Sequence, residues 1–455
     1  MKAASTSASI EEALEAFFTA HPEIRTERAL VAVSGGGDSM GLLHGLLAAV
    51  PQASERLCVV HVDHGLRPDA AEDARFVAEA AHALDLPCEV VTVQVRGAGG
   101  VQAAARRARR AALEHVAGRH RVRWIYLAHT LDDQAETVLL RLLRGAGPGG
   151  LRGMAEVDPP WLRPLLGVAR ATIRRWLAAR GIAHREDPSN RDPRYERTRI
   201  RHEVLPRLEA LQPRVREALA RHAALVREED ALLEGLAARL AKKAAGPHGL
   251  LTATLRAAPR PLARRVLVAA WRAAHRGPVD PVEERHVDRL LEALESEGSA
   301  RSFTLPGGVM ASLSMGVLAF AFQAFPSVPV QRVGGPGTYA LGAERVLRVV
   351  PWGGAEGGWE EGRPVGRVPA SPLVLRGPKP GDRCWDGRRL AAILEQARIP
   401  VHARPAVPVL VDGAGRVVWA EGLVGMTEPA LDGRPGGTWA VGVEPVPGGD
   451  SQARR

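Results

Sequence analysis

The sequence predicts an α/β protein with a parallel, Rossmann-like sheet, followed by a helical domain and a small α+β C-terminal domain. Three observations predict this fold class. Strand-like and helix-like stretches alternate over residues 26–150, residues 215–300 have mainly helical patterns, and short β-branched runs return after residue 370. Strands that alternate with crossover helices form parallel sheets covered on both faces. We therefore expect one covered sheet first, then helices, then a smaller mixed unit.

The first part of the chain supplies four predicted strands and four predicted helices. The strand-like runs are short, apolar and rich in β-branched residues, at 29–33, 57–62, 88–95 and 124–128. The helical segments follow them, at 40–49, 70–84, 101–117 and 132–143. In such a sheet, ligands bind beyond the carboxyl ends of the strands. Polar motifs that follow the strands are therefore candidate site residues.

Composition excludes several classes of protein. The chain has 455 residues, of which 45% are hydrophobic and 25% charged, as in ordinary globular proteins. No apolar run reaches the ~18 residues that a membrane span needs, and the first ten residues lack a secretory pattern. The cysteines Cys58, Cys88 and Cys384 are scattered, which argues against a zinc ribbon, a disulfide framework or an iron–sulfur cluster. We expect a cytoplasmic protein with no membrane partner.

The charge balance favours a nucleic-acid partner. The formal net charge is +10, and 57 of the 61 basic residues are arginines. Guanidinium groups bind phosphate in a forked geometry and stack on bases. A genome that favours arginine codons is the alternative explanation.

The most informative motif is Ser34-Gly-Gly-Gly-Asp-Ser39, between the first predicted strand and the helix after it. Consecutive glycines let backbone N–H groups approach an anion, and the helix N-terminus adds further donors. No Lys-Ser or Lys-Thr follows, so the motif is not a Walker A loop, and its spacing does not fit a dinucleotide fingerprint. Asp38 fits a metal carried by phosphates. The motif resembles the pyrophosphate loop of the N-type ATP pyrophosphatases.

Polar groups after the second strand allow a rival interpretation. His61, Asp63 and His64, together with His129 and Asp132, contain possible metal ligands and would suggest a metallophosphoesterase. The alternative is that these side chains order a loop over a nucleotide.

A second polar motif opens the helix after the fourth strand. Asp133 and Glu136 lie three residues apart, on one helix face, and fit a cationic substrate group, although capping of the helix is the structural alternative. Arginines crowd two further segments, 106–110 and 194–201. Some of them fit phosphate contacts, whereas a solvated basic face is the usual explanation for such runs. Arg174, Arg175 and Trp176 form a basic and aromatic patch suited to RNA, although Trp176 fits a place in the protein core equally well.

Taken together, these motifs resemble the tRNA(Ile)-lysidine synthetase family. The similarity is dense over the first ~215 residues, including Glu186-Asp-Pro-Ser-Asn190 and Arg197-Thr-Arg-Ile-Arg201, and weaker after them. Thr198 and Arg110 depart from the residues usual at those positions. The resemblance implies a PP-loop ATP-pyrophosphatase domain with a basic extension (1–215), a mainly helical tRNA-binding domain (216–325) and a small α+β C-terminal tRNA-binding domain (371–445). Composition predicts a Pro/Gly-rich linker with some weak strands (326–370) and a disordered tail (446–455).

The resemblance also implies a reaction. ATP with Mg²⁺ would adenylate the wobble cytidine of an isoleucine tRNA with a CAU anticodon, and free L-lysine would then displace AMP. The implied roles are as follows: catalysis by Asp38, Arg106, His129, Asp133 and Arg201; nucleotide binding by Ser34, Gly35, Gly36, Gly37, Asp38, Ser39 and His61; metal binding by Asp38; lysine binding by Asp133 and Glu136; tRNA binding by Arg174, Arg175, Arg197, Arg199 and Arg383. A homodimer is one of the assemblies the sequence allows.

Two alternatives stay open besides the metallophosphoesterase. A tRNA thiolase would use the same ATP loop, but such enzymes usually need reactive or cluster-binding cysteines. A non-catalytic RNA-binding protein would keep its function when Asp38 is replaced by alanine.

Overall fold

The structure is a computed structural model that describes residues 9–63, 70–93, 101–186, 194, 196–275, 284–296, 300–322, 325–351, 366–423 and 438–445. Contacts divide the chain into two compact units, Met1–Leu232 and Leu233–Arg455. No helix among the described residues is both long and apolar enough to cross a membrane.

The first unit is an α/β layer structure. Its helices are α1 Ile10–Ala20, α2 Gly37–Ala49, α3 Ala53–Arg56, α4 Ala70–Ala83, α5 Val101–His120, α6 Leu131–Leu143, α7 Pro148–Leu151, α8 Arg170–Ala179, α9 Glu196–Arg199, α10 Leu205–Leu211 and α11 Val215–Ala244, which continues into the second unit. Its strands are β1 Ala29–Ala32, β2 Leu57–Asp63, β3 Cys88–Thr92, β4 Trp124–Tyr126, β5 Val157–Asp158 and β6 Trp161–Leu162. The predicted strands and helices of this part are confirmed to within a few residues.

The six strands form one sheet in the order β3-β2-β1-β4-β6-β5. All neighbours are parallel except β5, which runs antiparallel to β6. The chain order reverses between β1 and β4, so the segments that leave these two strands diverge from the same edge of the sheet. This switch point is where open parallel sheets bind ligands. The predicted α/β, Rossmann-like class is confirmed.

Helices cover both faces of the sheet. On one face, Leu14 of α1, Leu43 of α2 and Ile173 of α8 belong to a buried cluster with Val31 and Val59. On the other face, Leu113 and Val116 of α5 pack with strand residues in a second cluster. Both faces of a central parallel strand are thus apolar, which explains why the strand sequences show continuous hydrophobic runs.

Two glycines bring α2 unusually close to its neighbours. A Cβ atom on Gly41 would lie 2.5 Å from Cγ2 of Ile173 in α8, and one on Gly45 would lie 2.6 Å from Cγ2 of Ile10 in α1. Such distances are impossible without a shift of the neighbouring helix. These glycines, which are poor helix formers, are therefore explained by close helix packing.

The second unit begins with helices around an antiparallel sheet. Its helices are α12 Thr252–Arg256, α13 Arg260–Ala274 and α14 Glu284–Glu295, and its strands are β7 Ala245–Gly246, β8 Gly249–Leu251, β9 Arg301–Leu305, β10 Val309–Ser314 and β11 Val317–Phe322. The sheet order is β7-β8-β11-β10-β9. Residues of α13, α14 and this sheet, such as Leu267, Leu291 and Val309, share one buried cluster.

The C-terminal part contains two four-stranded sheets and one helix. The elements are β12 Gln331–Val333, β13 Gly337–Ala340, β14 Arg345–Pro351, β15 Gly366–Pro369, β16 Leu373–Arg376, α15 Leu390–Gln396, β17 Val409–Val411, β18 Val417–Ala420 and β19 Thr438–Pro445. The sheet orders are β12-β16-β17-β18 and β13-β14-β19-β15. The segment 326–370, predicted as a Pro/Gly-rich linker with some weak strands, is more regular than a linker, because its described part supplies four of these strands. Its prolines and glycines lie mostly between strands, where they do not break the hydrogen-bonded ladders.

A hairpin that contains Asp412-Gly413, a dipeptide typical of tight turns, joins β17 to β18, but its turn is longer than two residues. A carboxylate oxygen of Asp412 accepts hydrogen bonds from the amides of Ala414 (3.0 Å) and Arg416 (2.8 Å). Gly415 adopts the left-handed conformation, at φ +80°. An Asp side chain that bonds to the following backbone has replaced the tight turn.

Candidate active site

The glycine loop after β1 is closed by its own side chains. The amide of Ser34 donates to Oγ of Ser39 (3.2 Å), and that hydroxyl donates to the carbonyl of Gly36 (2.8 Å). Gly35 adopts φ +82°, which favours glycine, and Gly36 is the extended N-cap of α2. The buried Ser39 therefore shapes the loop. The amides at the start of α2 remain oriented as an anion-binding N-terminus.

A neighbouring segment supports this loop along its backbone. The amide of Arg185 donates to the carbonyl of Gly35 (2.9 Å), and Arg185 forms a parallel bridge with Gly36. The guanidinium of Arg185 pairs with Asp73 of α4 at 2.5 Å. A Cβ on Gly37 would lie 3.2 Å from the ring of His184. The loop is thus held between its own hydroxyls and the segment 184–185.

His61 stabilises the residue that precedes the glycine loop. Its Nδ1 lies 2.9 Å from the carbonyl oxygen of Val33, to which it donates, and the side chain is buried. His61 thus fixes the last residue before the glycine loop. His64 lies outside the described residues. Among the residues the structure does describe, no group of three His, Cys, Asp or Glu side chains could hold a metal ion.

Asp133 begins α6 as part of a capping box. Its Oδ2 accepts hydrogen bonds from the amide (3.0 Å) and hydroxyl (2.9 Å) of Thr130. Its Oδ1 accepts from Nη2 of Arg197 (2.9 Å) and Nη2 of Arg170 (3.3 Å). Burial alone would raise the pKa of Asp133, but the two guanidinium groups hold it well below its usual range. The capping interpretation and the ion-binding interpretation therefore both apply to this residue.

Glu136 is completely buried and bound by two arginines. Arg201 donates from Nε to Oε1 (2.7 Å) and from Nη2 to Oε2 (3.0 Å), and Arg197 donates from Nε to Oε2 (2.8 Å). The forked contact is the strongest arrangement an arginine and a carboxylate can make. Asp133 and Glu136 thus lie on one helix face, as predicted from their spacing, with arginines already bound to both.

Asp38 lies in the first turn of α2 and pairs with Arg170. Nε of Arg170 donates to Oδ2 of Asp38 at 2.9 Å. Burial raises the pKa of Asp38, the charge of Arg170 opposes that rise, and the carboxylates of Asp133 and Asp132 add to it. A partly buried carboxylate that already binds a cation beside an anion-binding loop fits a ligand of Mg²⁺.

Positive charge is in excess next to this network. Surrounding protein and then the charges of Arg109, Arg197, Arg110 and Arg163 lower the pKa of Arg106 to about 10. The pKa of Arg109 is also lowered, by burial and then by Arg197. A guanidinium whose pKa falls for this reason is short of negative partners. Arg106 and Arg109 therefore fit a polyanionic ligand such as a triphosphate.

His129 is an uncharged group between these two regions. Burial lowers its pKa to about 3; the charge of Asp133 opposes this shift, and Arg106 and Arg163 add to it. Within the described part of the chain, its buried Nδ1 has no hydrogen-bond partner. The ring is thus neutral at physiological pH and presents an unused polar atom at the site.

Comparisons with known proteins agree with this geometry. The PP-loop domain family matches residues 6–208. A tRNA(Ile)-lysidine synthase from Geobacter sulfurreducens is 34% identical over 91% of this chain and 93% of that protein. The chain belongs to the tRNA(Ile)-lysidine synthase family. Enzymes of that name from Mycolicibacterium paratuberculosis (44% identical, 66% of this chain, 91% of that protein) and Nocardia farcinica (47%, 59% and 83%) are also similar.

A weaker likeness exists among solved structures. The U34-tRNA thiolase NcsA from Methanococcus maripaludis aligns at 14% identity over 48% of this chain and 78% of that chain, with a TM-score of 0.41. A likeness this weak does not favour either enzyme. The resemblance to the tRNA(Ile)-lysidine synthase family, by contrast, is confirmed.

One of the two departures from this family's usual residues has a structural role. The guanidinium of Arg110 stacks over the ring of Trp161, with 4.6 Å between Cζ and the ring centroid. Trp161 is buried in β6, so Arg110 covers one face of a buried indole. Nothing in the structure explains Thr198.

The arginines predicted to bind tRNA in this family member lie in different surroundings. Arg174, Arg175 and Arg199 are exposed, and Arg383 of the second unit is also exposed. Arg197 instead belongs to the ion-pair network. Trp176 donates to Glu11 (2.6 Å) and lies under Arg180, so its indole packs against α1 rather than offering a free face.

Sequence reasoning missed Arg170 and Arg216. Asp132 accepts hydrogen bonds from the amide of Arg170 (2.8 Å) and from Nη1 of Arg216 (2.9 Å). Neither arginine belongs to a recognisable motif. The local signal near Arg170 is a proline-leucine run shortly before the start of α8. This run does not indicate that the arginine after it binds carboxylates.

Proposed function

We propose that this protein ligates free lysine to the wobble cytidine of an isoleucine tRNA with a CAU anticodon, using ATP and releasing AMP and pyrophosphate. The observation that carries the proposal is the pairing of two subsites at the switch point of the sheet. The loop after β1 offers amides to phosphates, and the carboxylates of α6 lie within reach of the same Arg170 that pairs with Asp38.

The first step activates the base. The O2 oxygen of the cytidine attacks the α-phosphorus of ATP, the bond from that phosphorus to the bridging oxygen breaks, and pyrophosphate leaves. Mg²⁺, held by Asp38, would neutralise phosphate charge when bound. Arg106 and Arg109 supply positive charge beside the loop, where charge develops on the phosphates. A ring oxygen is a poor leaving group, and adenylation makes it a good one.

The second step forms the new C–N bond. The uncharged ε-amine of lysine attacks C2 of the base, and the C2–O2 bond breaks as AMP leaves. Before the attack, the ammonium group must lose a proton to solvent. The ring of His129, whose pKa is lowered to about 3, is neutral and too weak a base to take that proton at physiological pH. Asp133 is the carboxylate best placed to bind an amino group, because Glu136 is completely enclosed by arginines.

The cytidine must leave the anticodon stack to reach this site. Loops of RNA are single-stranded, so a base splays out at modest cost. The exposed arginines Arg174, Arg175 and Arg199 of the first unit, and Arg383 of the second, are proposed contacts to the tRNA backbone.

The thiolase alternative receives no support from the cysteines. Burial raises the pKa of Cys58, and it raises the pKa of Cys88 and of Cys384 to about 11. The thiolate is the reactive form of cysteine. All three thiols therefore stay protonated and are poor nucleophiles at physiological pH.

The test is a transfer assay with labelled lysine, ATP and a CAU-anticodon isoleucine tRNA transcript. We expect wild-type protein to place the label on the tRNA and to release pyrophosphate. Asp38→Asn should lose both activities, because the loop loses its metal ligand. Asp85→Asn is the matched control, since Asp85 is exposed and at φ +56°, a conformation that asparagine tolerates. Pyrophosphate release without lysine transfer would contradict the proposed substrate.

A further inference from the structure

Arg170 connects the two subsites, and its position is fixed by helix packing. It is the first residue of α8, where its amide donates to Asp132 (2.8 Å). One turn later, Ile173 packs onto Gly41, which itself lies one turn after Asp38 in α2. The close approach of α2 and α8 at this contact therefore brings the arginine head to the carboxylate of Asp38.

The guanidinium of Arg170 contacts three carboxylates with unequal consequences. It lies 2.9 Å from Asp38, 3.3 Å from Asp133 and 3.8 Å from Glu136. Asp133 and Glu136 also pair with Arg197 and Arg201. Arg170 is thus one of several cations for the α6 carboxylates, whereas it is the cation that neutralises Asp38.

We propose that Arg170 is a positioning residue that stands in for the metal at Asp38 until Mg²⁺ arrives with the nucleotide. This inference rests on the proposed function, in which Asp38 is the metal ligand. The guanidinium and a metal ion compete for the same carboxylate oxygen. Because Asp133 and Glu136 lie 3.3 and 3.8 Å from the same guanidinium, Arg170 keeps carboxylate partners when its contact to Asp38 gives way.

This competition has a functional consequence. Free Mg²⁺ binds poorly to the resting enzyme, because it must displace a cation that is already in place. Mg²⁺ carried by ATP also gains the loop amides and the arginines 106 and 109 through the phosphates. The site therefore selects the metal–nucleotide complex over the free metal. A purely structural salt bridge would not make this distinction.

The experiment measures Mn²⁺ binding to nucleotide-free protein by electron paramagnetic resonance. Removing a unit charge that lies 2.9 Å from the carboxylate should tighten binding about tenfold, even in a water-like dielectric. We therefore expect Arg170→Gln to bind Mn²⁺ about tenfold more tightly than wild type. Arg75→Gln, which removes an exposed arginine of α4, is the charge-matched control and should leave the affinity unchanged.

A second variant keeps the test decisive if Arg170→Gln does not fold. Arg170→Lys retains a charge but loses the fork that joins Asp38 to Asp133. We expect it to bind Mn²⁺ more tightly than wild type but less tightly than Arg170→Gln, because the charge stays while the fork is lost. Thermal unfolding verifies the fold of each variant. Unchanged or weaker Mn²⁺ binding in the folded variants would overturn the inference.

The two proposals fail separately. Absent lysine transfer by the wild-type enzyme contradicts the proposed function whatever the Mn²⁺ result. If the wild-type enzyme transfers lysine but the Arg170 variants bind Mn²⁺ with the same affinity as wild type, only the inferred role of Arg170 is contradicted.

Discussion

At the residue scale, the decisive feature is a carboxylate that solvent does not reach. Glu136 has no exposed surface, and both of its oxygens accept hydrogen bonds from Arg197 and Arg201. A buried carboxylate is tolerated only when it is paired in this way. Glu136 therefore holds the arginines of α9 and the following turn in place, in addition to any role toward lysine.

Replacing Glu136 by glutamine should be costly. The variant keeps the size of the side chain but leaves the guanidinium groups of Arg197 and Arg201 with Asp133 as their remaining nearby counter-charge in the described site. Breaking a buried ion pair on one side costs about 3–5 kcal/mol, so we expect the free energy of unfolding in urea to fall by about that amount. The control is Glu203→Gln, whose exposed partner Arg199 lies 3.6 Å away on the same helix. Such a pair contributes less than about 1 kcal/mol.

The same pair of variants separates two roles of Glu136. If it chiefly positions arginines, lysine transfer should fall together with stability. If Glu136→Gln is instead as stable as the control Glu203→Gln and only its KM for lysine is raised, Glu136 binds lysine directly.

At the scale of elements, one irregular helix brings the arginines together. Helix α9 continues through a π-helical turn, Ile200–Val204, into α10. Arg197 precedes the turn and Arg201 lies within it, four residues later, so both face Glu136. Wide turns of this kind often occur at functional sites. The buried Ile200 and Leu205 anchor the same segment against α6.

The packing of α2 offers a test of how helix distance controls the site. Gly41→Ala should push α8 away, because the new methyl group would meet Ile173 at 2.5 Å. Overpacking of this kind costs about 1–3 kcal/mol, and the Arg170–Asp38 contact should weaken with it. We expect a lower free energy of unfolding in urea. Because the competing guanidinium moves away from Asp38, we also expect tighter Mn²⁺ binding to the nucleotide-free protein.

Gly118→Ala is the matched control for that substitution. Gly118 lies within α5, and a Cβ atom there meets nothing within 4 Å. Alanine should stabilise this helix by about 0.5–1 kcal/mol. Equal effects of the two substitutions on stability would contradict the packing argument.

At the scale of the whole molecule, the sequence predicted those features that one continuous segment encodes. The strand, glycine loop and helix around Asp38 follow from one continuous segment, and the face shared by Asp133 and Glu136 follows from helical spacing. Arg170 could not be found in this way, because it lies 132 residues from Asp38 and no local pattern marks it. The structure alone brings these residues within hydrogen-bond distance.

Two further misses have the same origin. The indole of Trp176 belongs to an exposed-looking basic run, yet Glu11 from the first helix binds it. The Pro/Gly-rich residues 326–370 have the composition of a linker, yet β14 pairs with β19 at register Val349↔Val441, across a large sequence gap. Contacts between distant segments decide both cases, and composition does not report them.

The net charge leads to the last prediction, which concerns tRNA. A chain with a net charge of +10 that binds the tRNA backbone releases counterions, so its affinity should fall steeply and linearly on a log–log plot against salt. Each phosphate contact contributes about one unit of slope, and removing one arginine contact removes about that much. Filter binding of the tRNA transcript between 50 and 300 mM salt, about the range over which screening changes most, measures the slope.

Arg383→Gln should lower the slope by about one, because this exposed arginine is a proposed phosphate contact, whereas Arg75→Gln should not. Affinity that does not change with salt would contradict backbone binding. An equal loss of slope in both variants would show that total charge, rather than contact at Arg383, determines the salt response.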